Sequence, residues 1–168
     1  MTHYLVTQLR FARSEFLRCI EGVSEEDACK RILPMNCISW IVGHLANQEN
    51  GFWVYLAQGK QLAPGLRQLV GTGRPASTPP LAEMRSAWQT ITTEADVYLD
   101  TLTPALMQTH FVHNEKAFEE NIGTFLMRNI YHYWYHTGEA SSIRQLLGHP
   151  NPPEFVGDMT KVMYQAEG

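Results

Sequence analysis

His132 and His136 stand four residues apart in an aromatic run, Tyr131-His132-Tyr133-Trp134-Tyr135-His136. On an α-helix this spacing sets two side chains about 40° apart around the axis and about 6 Å apart along it, so both imidazoles reach one point. A single metal ion is the simplest object that rewards the arrangement. Neutral imidazole ligates zinc, nickel, copper and iron, and a metal held by three histidines keeps a further position for water or substrate. A third ligand is therefore the thing to look for, and His44 offers one on a different helical stretch. The pair alone is a weak signal. With Tyr133, Trp134 and Tyr135 between the histidines there is no acid, so the metalloprotease pattern H-E-x-x-H is excluded.

The elements that must position these residues follow from periodicity. The helix carrying the pair runs from Asn121, its cap, to Gly148, with Ile122, Leu126, Tyr133, Ala140, Ile143 and Leu147 as one apolar stripe. His44 lies on a helix from about Cys37 to Gln58, capped by Asn36 after the break at Pro34. Ile41, His44, Gln48, Phe52 and Tyr55 share its inward face, widened by Trp40, Leu45 and Leu56. A core histidine with one nitrogen bonded to a neighbour is the competing reading of His44. A first helix spans about Thr2 to Glu21, with Leu5, Leu9, Ala12, Phe16 and Ile20 inward and Arg10, Arg13, Glu15 and Arg18 on other faces. Ser24 to Asp27 starts a short helical turn. The clearest periodicity is Leu81, Met84, Trp88, Ile91, Ala95, Tyr98 and Leu102, entered through Thr78-Pro79-Pro80 and ended at Thr103-Pro104.

Residues 59–80 turn to Gly, Pro, Ser and Thr and form a long connection with one short turn around Leu66 to Leu69. Thr109 to Val112 reads as a short extended piece, His113 to Lys116 as a turn, and the tail from Asn151 to Gly168 as a wrap over the surface. With no convincing set of strands, the expected fold is all-α: an antiparallel four-helix bundle with a long connection between helices 2 and 3, in one domain over residues 1–168.

Composition narrows the function. A formal net charge of −4 over 168 residues and a sequence pI near 5.9 argue against a nucleic-acid surface. No uninterrupted apolar stretch is long enough for a membrane span. The first residues lack the basic-then-apolar layout of a secretory signal, and Cys19, Cys29 and Cys37 form no C-x-x-C pair. They read as reduced thiols, which points to the cytoplasm. Nucleophile elbow, phosphate loop and dinucleotide fingerprint are all missing. Gln48, Asn129 and Glu139 are candidates to orient a ligand's second nitrogen, and Asn129 and Glu139 read equally well as solvated or capped polar residues. The aromatics between the histidines serve either as core or as the wall of a pocket. His3, His110, His113 and His149 fall near termini or loops and are taken as surface residues.

Two stretches resemble the DinB family, also called DinB/YfiT-like: Ser39-Trp40-Ile41-Val42-Gly43-His44, and Asn129 through Glu139 with its Tyr-His-Tyr-Trp-Tyr-His centre. The resemblance runs from the first helix through Gly148. It implies a four-helix bundle that holds a divalent metal, zinc first with nickel or iron as alternatives, through His44, His132 and His136. Glu139 departs from the pattern, since many relatives carry glutamine there. Characterised relatives include S-transferases that use mycothiol or bacillithiol and a mycothiol-dependent maleylpyruvate isomerase. The resemblance thus implies thiol-dependent, S-transferase-like chemistry in a homodimer, with a low-molecular-weight thiol or other small-molecule substrate as partner. Two other readings stand beside it. One is a non-catalytic metal-binding or stress-response bundle whose ion ties two helices together. The other is a metal-free helical dimer whose histidines hydrogen-bond in the core.

Overall fold

Four long helical segments carry most of the core in the computed structural model, which describes residues 2–154 and 156–164. The first, α1 (Tyr4–Cys19), begins at His3, whose Nδ1 accepts a hydrogen bond from the Leu5 amide at 3.2 Å. A one-turn helix, α2 (Glu25–Cys29), follows. It is capped by the Ser24 hydroxyl and carries Glu25, Glu26 and Asp27 at its positive end. Next comes α3 (Ile38–Glu49), whose cap position is Cys37 and not Asn36, and which has no side-chain cap bond. It runs directly into a π-helical segment, Asn50–Leu56. The long connection contains α4 (Leu66–Val70), and α5 (Leu81–Leu99) and the short α6 (Pro104–Met107) follow. Strands β1 (His110–His113) and β2 (Lys116–Asn121) precede α7 (Ile122–Leu146), and a 3-10 turn covers Met159–Val162.

The chain is thus mostly helical, but the expectation of an all-α fold is corrected by an antiparallel β-hairpin. Val112 pairs with Ala117 and His113 with Lys116, across a two-residue turn in which Asn114 and Glu115 both have positive φ. Nothing in the sequence marks the second strand, because Lys116 to Asn121 buries almost nothing and its side chains carry no alternating apolar signal. Phe111 and Phe118 pin the hairpin to Phe125 of α7, with ring centroids 5.4 and 5.5 Å apart.

In the core, α3 packs on α4, α5 and α7, while α1 packs on α7. Gly43 leaves room between α3 and α5 for Met84, whose sulfur would lie 2.4 Å from an added Cβ and would have to shift. The wider turn of the π segment re-phases the second long helix. Trp53 and Val54 are fully buried, whereas Tyr55, expected inward on an α-helical stripe, is 38% exposed. The tail lies along α1: the Gly157 amide donates to Glu15 at 2.6 Å, the Arg18 guanidinium donates to the Glu154 carbonyl, and Val162 is buried. Phe155 and residues 165–168 of the expected wrap lie outside the described residues. No described helix is long and apolar enough to cross a membrane.

Arg13, expected on an outward face, is buried at 5% exposure, and Glu15 is buried beside the tail. The Arg13 guanidinium grips the fully buried Glu49 carboxylate through Nε at 2.8 Å and through Nη2. Its third contact is Asp96 of α5 at 2.7 Å. Glu49 also accepts from the Tyr133 hydroxyl at 2.6 Å, and that hydroxyl accepts from Trp88 Nε1 at 2.7 Å. Burial, with Glu49 beside it, holds the Tyr133 phenol well above its ordinary pKa, so it stays a donor. One network therefore joins α1, α3, α5 and α7.

Removing one partner of a buried pair strands the other charge in low dielectric. Arg13→Ala is expected to lose about 3–5 kcal/mol of stability in urea unfolding. Arg10→Ala, which breaks partly exposed pairs with Asp96 and Asp100, is expected to lose about 1 kcal/mol or less.

Candidate metal centre

Three imidazoles meet where α3 crosses α7. His44 Nε2 lies 3.1 Å from His132 Nε2, which lies 3.0 Å from His136 Nε2. All three ligand atoms fall within 4.8 Å of one another. His44 and His136 are buried and His132 is half-buried.

The outer nitrogens decide what the inner ones present. His44 Nδ1 is 2.9 Å from the Val70 carbonyl of α4, which can only accept, so Nδ1 carries the proton and Nε2 a lone pair. His136 Nδ1 is 2.7 Å from a Glu139 carboxylate oxygen, one helical turn on, and by the same logic its Nε2 is a lone pair. His132 Nδ1 is buried with no hydrogen-bond partner among the described residues. Even if His132 turns an Nε2–H inward, one proton satisfies only one of the two facing lone pairs. At least one acceptor is left opposed to another. A cation at the centre would receive all three. Ligand nitrogens about 2.0–2.1 Å from one ion, at angles between about 90° and 109°, lie roughly 2.9–3.4 Å apart, a range that includes both the 3.1 Å and the 3.0 Å separations. The donor set fits a divalent metal.

The electrostatics agree. Burial, with His44 beside it, pushes His132 down to about 4, and burial with its two histidine neighbours pushes His136 down to about 3. Burial lowers His44 too, against the Val70 carbonyl, which favours the charged ring. The rings are neutral at pH 7, the form that ligates. Because His136 is neutral, its contact with Glu139 is a hydrogen bond more than an ion pair, and burial raises the Glu139 pKa.

The other polar side chains near the pair sort differently. Asn129 is fully buried, accepts from Trp53 Nε1 at 2.7 Å and donates to Gln48 at 3.0 Å, so neither amide meets a ring nitrogen of the cluster. Trp40 stacks on His44, with centroids 4.5 Å apart and planes 14° apart. The aromatic run divides three ways. Tyr133 is core, Trp134 packs on Phe11 at 6.1 Å, and Tyr135, 72% exposed, walls a cleft beside His132 with Met127 and Tyr131.

A cavity of about 630 Å³ opens on the other side, reached by His44 and His132. The π segment contributes Phe52 and Tyr55, the long connection contributes Arg67 and Thr72, and the hairpin contributes His113. His113, taken from sequence as a plain surface residue, stands at this cavity, 5.7 Å from the Tyr55 ring. No local pattern marked it, because a hairpin turn and not a helical period brings it there. His3 caps α1, and His149 bridges Arg144 and Asp27.

The family model of the DinB superfamily matches residues 8–140, a span that includes all three histidines. Among curated proteins, none matches the chain.

The pH dependence of the metal-free protein follows from the ring environments. Free histidine titrates near 6.5, and the folded values lie below it, so the unfolded chain takes up protons first as acid is added. The stability from keeping these rings neutral is complete above about pH 6.5 and is lost as the pH falls through about 4. Chelator-treated protein is expected to show a Tm that drops across this window, and a His132→Gln/His136→Gln double variant a flatter profile.

Proposed function

This chain belongs to the DinB superfamily, and from that premise we propose that it holds one divalent metal ion, zinc first, for S-transferase-like chemistry on a small thiol. The ligands are His44, His132 and His136. The observation that carries the reading is the meeting of three Nε2 atoms, two of them fixed as lone pairs by the Val70 carbonyl and the Glu139 carboxylate. We read α1, α3 with its π segment, α5 and α7 as an antiparallel four-helix bundle in a single domain, working in the cytoplasm as a homodimer.

A divalent ion in such a site lowers the pKa of a coordinated thiol and supplies a thiolate at neutral pH. The rest is done by the chain. Glu139 holds the Nδ1 proton of His136 and fixes the ring's tautomer and tilt. The Val70 carbonyl does the same for His44, with Trp40 stacked behind it. The adjoining cavity of about 630 Å³ is large enough for a small organic ligand.

Protein purified without an affinity tag is expected to contain a single metal ion per chain, and His136→Ala to lose it. Full occupancy in that variant would sink the ligand assignment. Glu139→Gln is expected to keep the metal with roughly 10–100-fold weaker affinity, measured by competition with a chromogenic chelator. Cobalt-substituted protein separates chemistry from structure: a spectral change on adding thiol supports catalysis. An unchanged spectrum favours an ion that only ties α3 to α7.

A further inference from the structure

The cavity beside His44 and His132 has a charge character opposite to that of the chain. The chain's formal net charge is −4, yet no carboxylate occurs among the described residues that line the cavity. Its lining includes Arg67, His113 and the amide residues Asn47, Gln48, Asn50 and Gln61. Arg10, Arg13, Arg18 and Arg128 are matched to acids, and Arg31, Arg85 and Arg144 donate to backbone carbonyls. The Arg67 side chain makes no ion pair or hydrogen bond among the described residues. Asn50 Oδ1 adds a second unmet demand, being buried with no hydrogen-bond partner. It is an acceptor that calls for an N–H or O–H donor.

Arg67 is an exposed residue lining this cavity, and a cation at a concave site raises the local concentration of anions against the field of the whole molecule. The nearest acid of the histidine cluster, Glu139, is engaged with His136 and does not line the cavity. A lone guanidinium presents parallel N–H groups that fit a carboxylate in bidentate fashion. A phosphate dianion carries more charge than one such group meets.

We propose that Arg67 is an anchor for a carboxylate, so that the small molecule taken up here is an acid with an amide or hydroxyl donor near its carboxylate. This deepens the thiol reading and rests on it for the reacting end of the ligand. The carboxylate end stands on Arg67 alone. It also gives the connection of residues 59–80 a purpose. That segment holds His44 through the Val70 carbonyl and brings Arg67 to the same cavity.

The test uses two thiols of equal length that differ only at the far end, 3-mercaptopropionate and 3-mercaptopropan-1-ol, titrated into cobalt-loaded protein. The acid is expected to bind about tenfold more tightly or better, a difference of roughly 1.4 kcal/mol. Arg67→Gln should erase that preference and Arg67→Lys restore part of it, with metal content unchanged in both. Equal affinity for the two thiols, or a preference that survives Arg67→Gln, overturns the carboxylate anchor and leaves the thiol reading standing. If neither thiol perturbs the cobalt spectrum, the thiol reading fails, and calorimetry on metal-free protein judges the anchor by itself. Binding of glutarate but not glutaramide, lost in Arg67→Gln, supports it. Failure of glutarate to bind, or tighter binding of inorganic phosphate, overturns it.

Discussion

A carboxylate sealed away from water sets how the long helices face one another. Glu49 is fully buried, and an ionised group in that position persists only with its partners in place. Those partners come from two other helices: Arg13 on α1 and Tyr133 on α7, with Trp88 of α5 behind the tyrosine. Glu49 follows His44 on the same helix, and Tyr133 follows His132 directly. Closing the network therefore fixes the rotation of α3 against α7, and with it the meeting of the imidazoles. The polar core and the candidate metal centre are two readings of one register.

The two clusters nevertheless obey opposite rules. In the Arg13–Glu49 network donors and acceptors alternate, so the buried polar atoms satisfy one another. In the histidine cluster the outer nitrogens of His44 and His136 are satisfied and the inner ones oppose each other. Such an arrangement costs stability unless a cation occupies the centre. Stability concentrated in one cluster lets the other remain organised around a ligand.

The cavity is built largely by the irregular elements, each of which also anchors itself in the core. The π segment widens one helical turn and swings Tyr55 to the opening while Trp53 takes the buried position. The connection of residues 59–80 presses α4 onto α3, and the hairpin, held by Phe111 and Phe118 against Phe125, presents His113. Irregular segments on a rigid helical frame are where binding chemistry is usually assembled.

The sequence by itself determined the helical frame and the identity of the three histidines. The stripe from Leu81 to Leu102 and the stripe on α7 read out directly, because a helix that buries one face must repeat its apolar residues at the helical period. His132 and His136 were legible for the same reason, being one turn apart on a single helix. Tertiary structure alone decided everything whose cause lies across the chain. Arg13 looked outward because a charged residue carries no sign that Glu49, thirty-six residues away, will receive it. Tyr55 lines the same cavity as His44, Gln48 and Phe52, and only its exposure was not legible, because a π turn leaves no mark in an α-helical count. Whether Asn129 or Glu139 would serve a histidine was not legible either. The choice depends on Trp53 and Gln48 reaching Asn129 first, while Glu139 meets His136 within its own helix. Periodicity records which face is buried; only packing records which atoms meet there.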